Sequence, residues 1–166
     1  MRGVVIGHSF VVRGHSPFCL PSSAFCILPS AFFLPFAMPK IAIQPPGAAP
    51  ALGPYSHGIR LGDLLFCSGQ VPIDPAHPAG AITGDIREQT RRVLENVKLI
   101  LSSQGLSFAQ VVKTTVFMTN LAEFQGMNEV YGEFFPAPYP ARSTVQVSAL
   151  PRAASVEIEV TASYSA

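Results

Sequence analysis

The sequence contains no tryptophan and little charge, since charged residues make up 13% of its 166 positions. Its 11 Lys and Arg residues nearly balance its 10 Asp and Glu residues, which leaves a net charge of +1. The chain has neither a basic run nor a basic stripe interleaved with aromatic residues, the pattern that follows a phosphate backbone. Nucleic acid is therefore not an expected partner.

Cysteine is also scarce. The three cysteines show no CxxC spacing and no cluster with histidine, so neither a disulfide framework nor a zinc site is indicated. Cys67 lies in an apolar run, where a small buried thiol is expected. Ser68 beside it lacks the GxSxG elbow that carries the nucleophile of many hydrolases. The sequence thus predicts neither a metal centre nor a serine nucleophile.

The first 37 residues contain no acidic residue, several prolines and a repeated phrase, LeuProSerSerAlaPhe and then LeuProSerAlaPhe. The prolines interrupt every apolar run well short of the ~20 residues that a membrane-spanning helix needs. We therefore expect no membrane anchor, and we interpret residues 1–37 as a leader that is disordered or results from a mis-assigned start. In the preferred interpretation, translation begins at Met38.

A transit or signal peptide is the alternative for this leader, because it contains serines and carries Arg2 and Arg13 without any acidic residue. In either case residues 38–166 are expected to form one domain, since a chain of this size lies at the usual one-domain scale. The expected location is the cytoplasm, or an organelle if the leader is a transit peptide.

From residue 38 onward, the pattern of apolar residues predicts strands separated by turns. A short strand is expected at residues 40–43, and a GlyAsp turn predicts a hairpin between Gly58–Leu61 and Leu64–Gln70. The run Val111–Met118 is rich in β-branched residues and predicts a buried strand. Two more strands are expected to end the chain.

Two helices are predicted between these strands. Asp85 and Glu88 form the pattern of a capping box, after which apolar residues recur at helical spacing as far as Gly105. Asn120 with Glu123 is expected to cap the second helix. This order of elements predicts an α+β fold with both helices on one face of a sheet. The other sheet face needs its own cover, so we expect the chain to associate with copies of itself through that face.

The last two strands carry the most informative polar residues. Side chains alternate across a strand, so Arg142 and Thr144 share one face of the first, while Glu157 and Glu159 share the polar face of the second. If both strands lie in one sheet, we expect these polar faces to look the same way. The Arg142 guanidinium could then bind the carboxylate of a small ligand, pair with a neighbouring Glu, or close a subunit contact as an ion pair.

Several motifs, in this order along residues 38–166, resemble those of the RidA (YjgF-type) family of enamine/imine deaminases. They are GlyProTyrSer at 53–56, LeuLeuPheCysSerGlyGln at 64–70, ValValLysThrThrValPheMet at 111–118, ProAlaArgSerThrValGlnVal at 140–147 and ValGluIleGluVal at 156–160. The resemblance implies a chorismate-mutase-like (ferredoxin-like) fold with an antiparallel-rich sheet and two helices on one face. It also implies a homotrimeric barrel with active sites in clefts between neighbouring subunits.

The same resemblance implies the reaction and the residues that perform it. Arg142 would bind the carboxylate of a 2-imino or 2-enamino acid, and Glu157 would position or activate the attacking water, without a metal or cofactor. Hydrolysis would convert substrates such as 2-aminoacrylate, 2-iminopropanoate and 2-iminobutanoate to 2-oxo acids and ammonia. Thr144 lies beside Arg142, where many relatives have cysteine. The residues implied to bind the substrate are Tyr55, Ser68, Gly69, Phe124, Asn128 and Thr144.

Two other classes of function stay open at this point. A small-ligand-binding or chaperone-like trimer would use the same clefts without turnover, and substitution of Arg142 would then leave its activity intact. An endoribonuclease, an activity ascribed to some relatives, would be expected to show a basic strip or a pair of histidines, and the sequence shows neither.

Overall fold

A computed structural model of the chain describes residues 38–166. The proposed leader, residues 1–37, lies outside the described residues, so its interpretation stays a prediction. The helices and strands, in chain order, are β1 Ile41–Ile43, β2 Gly58–Leu61, β3 Leu64–Gln70, α1 Ile86–Ser103, β4 Val111–Met118, α2 Phe124–Phe134, β5 Ala141–Gln146 and β6 Val156–Ser163.

The six strands form one mixed sheet in the order β1-β2-β3-β6-β4-β5. All neighbouring pairs are antiparallel except β4 and β5, which run parallel because α2 connects them. The predicted α+β fold with an antiparallel-rich sheet is therefore confirmed. The β2–β3 hairpin has the predicted bounds, and Gly62 in its turn adopts a positive φ of 57° that favours glycine.

Both helices lie on the same face of the sheet, as predicted. Helix α1 packs against β3 and β6 and contacts α2. Its apolar stripe enters the core, where Val93, Val97 and Ile100 are fully buried together with Val116 of β4 and Ile158 of β6. Burial of this stripe, at about 25 cal/mol per Å² of apolar surface, is the main force that holds the helices on the sheet.

The predicted capping box opens α1. The Asp85 carboxylate accepts hydrogen bonds from the backbone N–H groups of Arg87 and Glu88, at 2.8 and 3.0 Å. Glu88 Oε2 in turn accepts from the Asp85 N–H at 3.0 Å. These bonds satisfy backbone donors that have no partner within the helix, so the start of α1 is fixed by its own sequence.

The predicted cap of the second helix is wrong. Asn120 accepts a hydrogen bond from the Ala122 N–H at 3.0 Å and caps a short 3₁₀ turn, Leu121–Glu123, that precedes α2. Glu123 takes the N-cap position of α2 but makes no capping hydrogen bond with its side chain. The short Asn120 side chain reaches the N–H two residues ahead, and the tighter turn separates it from the α-helix.

The prediction that Arg142 and Glu157 share a sheet face is also wrong. Strand β4 lies between β5 and β6, and its Thr114 pairs with Arg142 on one side and with Val160 on the other. Paired residues point to the same side of a sheet, so Arg142 lies on the face covered by the helices. Glu157 pairs with Phe117 and therefore lies on the opposite, open face. Residues two apart on a strand share a face, so Thr144 lies with Arg142 on the helix-covered face and Glu159 lies with Glu157 on the open face.

The open face exposes large apolar side chains. Leu61, Leu64, Phe66 and Val145 are each 39–43% exposed there. None of the helices within residues 38–166 combines the length and apolar character needed to cross a membrane.

Candidate functional site

The first candidate half-site surrounds Arg142, where the end of α2 faces the edge strand β5. A cavity of about 380 Å³ lies here. Helix α2 supplies Asn128 and Tyr131, β5 supplies Arg142, and the segment between them supplies Tyr139 and Pro140. Arg142 and Asn128, which the sequence predicted as site residues, thus line one cavity.

Aromatic rings of α2 hold the Arg142 guanidinium. Its Cζ lies 4.6 Å from the ring centroid of Tyr131 and 5.6 Å from that of Phe124. Within residues 38–166, no carboxylate forms an ion pair with Arg142 and no acceptor receives a hydrogen bond from its side chain. A guanidinium held by rings but left without an acceptor can offer two parallel N–H groups to a carboxylate.

Thr144 lies two residues after Arg142 on the same face of β5. Its Oγ1 is buried and has no hydrogen-bond partner among the described residues. A buried hydroxyl without a partner carries a cost that a bound ligand or water could remove. Thr144 thus lies on the same strand face as Arg142, and its hydroxyl has no hydrogen-bond partner within residues 38–166.

The second candidate half-site surrounds Glu157, at the end of β3. A cavity of about 290 Å³ is lined here by four of the predicted residues and three apolar ones. The predicted residues are Tyr55, Ser68, Gly69 and Glu157, and the apolar ones are Leu52, Val71 and Pro151. The pairing of β3 with β6 shifts register between Cys67 and Gln70, which leaves this strand end irregular beside β6.

Gly69 is needed for space beside Glu157. A Cβ atom added at position 69 would overlap the Glu157 carboxylate. Any larger residue at this position would therefore force Glu157 to move. Glycine at 69 lets the carboxylate lie directly over the strand backbone.

The Ser68 hydroxyl is committed to a structural contact. It donates a hydrogen bond of 2.6 Å to the Ser56 carbonyl, and the Ser68 N–H donates to the His57 carbonyl at 2.9 Å. These bonds hold the segment that carries Tyr55 against the end of β3. Ser68 therefore shapes the Glu157 half-site through its backbone and its contact with Ser56.

The pKa of Glu157 is raised above the ordinary range of a glutamate. Burial is the larger cause, since it disfavours the charged form, and the negative charge of Glu159 adds to it. A carboxylate with a raised pKa holds a proton more readily than an exposed one, which suits a group that takes a proton from water. Within the described part of the chain, no cluster of His, Cys, Asp or Glu could hold a metal ion.

Six of the eight predicted site residues thus line one or other of two separate cavities. The other two, Phe124 and Thr144, line neither, although the Phe124 ring lies near Arg142 and Thr144 follows it on β5. Sequence reasoning missed Tyr139, Leu52 and Pro151 as lining residues, and it gave no site role to Tyr131 of α2. Loop residues such as Tyr139 and Pro151 carry no periodic signal. The signal for Tyr131 is its hydroxyl, which needs a partner when buried.

Comparison with known proteins adds three kinds of match. The sequence model of the family described as Endoribonuclease L-PSP matches residues 46–164. TdcF of Escherichia coli strain K12, a candidate reactive intermediate deaminase, is 46% identical over 130 residues, which cover 76% of this chain and 99% of TdcF.

Solved structures agree with this match. The crystal structure of E. coli TdcF with bound serine is similar with a TM-score of 0.70 and 44% identity, and the match covers 75% of this chain and 98% of TdcF. The crystal structure of RidA from the Antarctic bacterium Psychrobacter sp. PAMC 21119 has a TM-score of 0.70 and 37% identity, over 74% of this chain and 98% of RidA. Both sequence and fold are therefore shared over nearly the whole length of these relatives.

Proposed function

Because the chain belongs to the Endoribonuclease L-PSP family, which includes RidA, YjgF and the reactive intermediate deaminases, we propose that it hydrolyses 2-imino acids. Candidate substrates are 2-iminopropanoate, its enamine 2-aminoacrylate, and 2-iminobutanoate. The products are a 2-oxo acid and ammonia.

The observation that carries this proposal is the guanidinium of Arg142, which lies in the cavity beside α2 without an acceptor among residues 38–166. A carboxylate matches the planar fork of arginine in two hydrogen bonds, which fixes both the position and the orientation of the ligand. Arg142 therefore selects small acids and holds the carbon next to the carboxylate in one place.

Glu157 serves as the base in the proposed reaction. Its carboxylate takes a proton from water as the water oxygen bonds to the imine carbon, and the imine nitrogen is protonated. Protonated Glu157 then gives its proton to the nitrogen of the carbinolamine, and ammonia leaves as the C–N bond breaks. The hydroxyl proton returns to the solvent, which supplied the proton on the imine nitrogen, and the 2-oxo acid remains. An enamine first tautomerises to the imine.

Arg142 and Glu157 lie on opposite faces of the sheet, so one chain cannot bring both groups to the same substrate. We therefore propose that the site forms between subunits of a homotrimer, with Arg142 from one subunit and Glu157 from its neighbour. The exposed apolar side chains of the open face support such an assembly, because they need a cover.

The test follows the release of 2-oxo acid and ammonia from 2-aminoacrylate that serine dehydratase generates. The full-length wild type should accelerate release, and Arg142→Ala should lower the rate about 100-fold or more, since the substrate loses its anchoring ion pair. Arg92→Ala is the matched control, because Arg92 forms an exposed ion pair with Glu95 on α1.

Acceleration that survives Arg142→Ala would contradict the role of this arginine. A folded wild type that accelerates neither 2-aminoacrylate nor 2-iminobutanoate hydrolysis would contradict the deaminase function and favour a ligand-binding module.

A further inference from the structure

Arg142 differs from every other arginine within residues 38–166. Three arginines on α1 pair with carboxylates, and two others donate to backbone carbonyls. The arginines that pair with carboxylates are Arg87, Arg91 and Arg92. The arginines that donate to backbone carbonyls are Arg60 and Arg152. Arg142 alone among these six has neither kind of partner in the described part of the chain, so the rings of α2 are what fix its guanidinium.

Tyr131, the nearer of the two rings, is itself held in place. It is 5% exposed, and its hydroxyl shares a hydrogen bond of 2.8 Å with Thr114 Oγ1. Its ring stacks on that of Phe135, with centroids 4.2 Å apart and planes inclined by 21°. Phe135 in turn packs edge-on against Phe108 at 4.8 Å. The ring beneath Arg142 is therefore part of a packed aromatic column.

Thr114 connects this column to the strand that carries Arg142. It is fully buried in β4 and pairs directly with Arg142 in β5. Its hydroxyl thus fixes the Tyr131 ring relative to the strand from which the guanidinium extends. Thr114 therefore contacts both the strand that carries Arg142 and the ring against which its guanidinium packs.

We infer that Tyr131, anchored by Thr114, is a positioning residue that holds the Arg142 guanidinium in the orientation that receives the substrate carboxylate. This inference rests on the proposed function. A cation over an aromatic ring is attracted by the ring electrons, and the attraction is stronger when water is excluded. Restraining the guanidinium before binding lowers the entropy lost when the carboxylate docks.

Three full-length variants test the inference through steady-state kinetics with 2-iminobutanoate. Tyr131→Leu removes the ring, and we expect KM to rise about tenfold or more with kcat changed much less, because the loss falls on substrate binding. Tyr131→Phe keeps the ring but loses the hydrogen bond to Thr114, so KM should rise by a smaller factor, about threefold. Tyr164→Leu is the matched control, since Tyr164 lies 4.0 Å below Arg60 in a second arginine–tyrosine stack remote from Arg142.

A spectroscopic measurement tests the geometry without turnover. In NMR of the wild type, the Nε–H proton of Arg142 should be shifted upfield by the ring current of Tyr131, and Tyr131→Leu should reduce this shift to the smaller contribution of the Phe124 ring. If Tyr131→Leu does not fold, the wild-type spectrum decides alone. An Arg142 Nε–H resonance at the position of that of Arg92, an exposed arginine that pairs with Glu95 on α1, would overturn the inference.

The two proposals fail in distinguishable ways. A wild type without deaminase activity contradicts the proposed function, whatever the variants do. An active wild type whose KM is unchanged by Tyr131→Leu contradicts the positioning role alone.

Discussion

Glu157 is the residue whose environment says most about the chemistry. It lies over Gly69 in a cavity with apolar walls, and burial together with the charge of Glu159 raises its pKa. A base must be deprotonated to accept a proton, so activity is lost as pH falls through this raised pKa. The acid limb of the pH profile should therefore lie above the ordinary pKa of a glutamate.

Glu159→Gln tests this electrostatic coupling. The substitution removes a negative charge that favours protonation of Glu157, so the pKa of Glu157 should fall. We expect the acid limb of kcat/KM to move to lower pH, while activity at neutral pH is nearly unchanged. The measurement is a pH profile of 2-oxo acid release by wild type and variant.

Glu95→Gln is the control, because Glu95 is an exposed residue of α1 that pairs with Arg92. Its profile should match that of the wild type. An acid limb that stays in place in Glu159→Gln would show that Glu159 does not affect the proton-accepting group.

Elements with local signals could be predicted from the sequence. The β2–β3 hairpin and β4 have the predicted bounds because a tight turn and β-branched runs act within a few residues. Helix α1 begins at the predicted capping box for the same reason. The prediction of the α2 cap was wrong because the sequence pattern does not distinguish a 3₁₀ turn from the first turn of an α-helix.

Contacts between distant segments could not be predicted. Arg152 adopts a positive φ of 60° and donates hydrogen bonds to the carbonyls of Pro78 and Gly80, which links two loops. Its neighbour Pro151 lines the Glu157 cavity. A left-handed conformation at a residue other than glycine costs about 1 kcal/mol or more, so tertiary contacts must sustain it. No short sequence pattern predicts such a contact.

The two caps make a matched pair for measurement. Asp85→Ala removes two hydrogen bonds to the backbone at the start of the 18-residue α1 and should lower the free energy of unfolding by about 1 kcal/mol. Asn120→Ala removes one bond at a three-residue turn and should cost about half as much. Chemical denaturation at fixed protein concentration gives both values.

The comparison between the two variants carries the result. Equal losses of stability would contradict the assignment of Asn120 to a short turn outside α2. A loss for Asp85→Ala that lies within error of zero would contradict the importance of the capping box.

At the scale of the whole molecule, the sequence predicted a shared sheet face for Arg142 and Glu157 that the strand pairing contradicts. The alternation of side chains along each strand correctly predicted that Arg142 and Ser143 point to opposite faces, as do Glu157 and Ile158. The relation between β5 and β6 depends on β4, which pairs with both, and alternation within each strand cannot reveal that register. This matters for the proposed function, because Arg142 and Glu157, the proposed carboxylate anchor and base, lie on opposite sheet faces.

A site shared between subunits predicts recovery of activity by mixing inactive variants. Arg142→Ala and Glu157→Gln should each lower activity at least about 100-fold, since each removes one half of every site. In assemblies formed from equal amounts of both, a site is intact when one subunit supplies Arg142 and its neighbour supplies Glu157. Random mixing makes about one quarter of the sites intact, whatever the number of subunits in a ring.

The measurement uses co-expressed chains with two different affinity tags, purified through both tags so that every assembly contains both variants. Random mixing followed by this selection should give a specific activity near or above one quarter of the wild-type value. Arg142→Ala co-expressed with the double variant Arg142→Ala/Glu157→Gln is the control, since no chain then supplies the guanidinium. Doubly purified assemblies as inactive as this control would mean that Arg142 and Glu157 do not act across a subunit boundary. Because the sheet separates these two groups within each chain, that result would also contradict their joint action on one substrate.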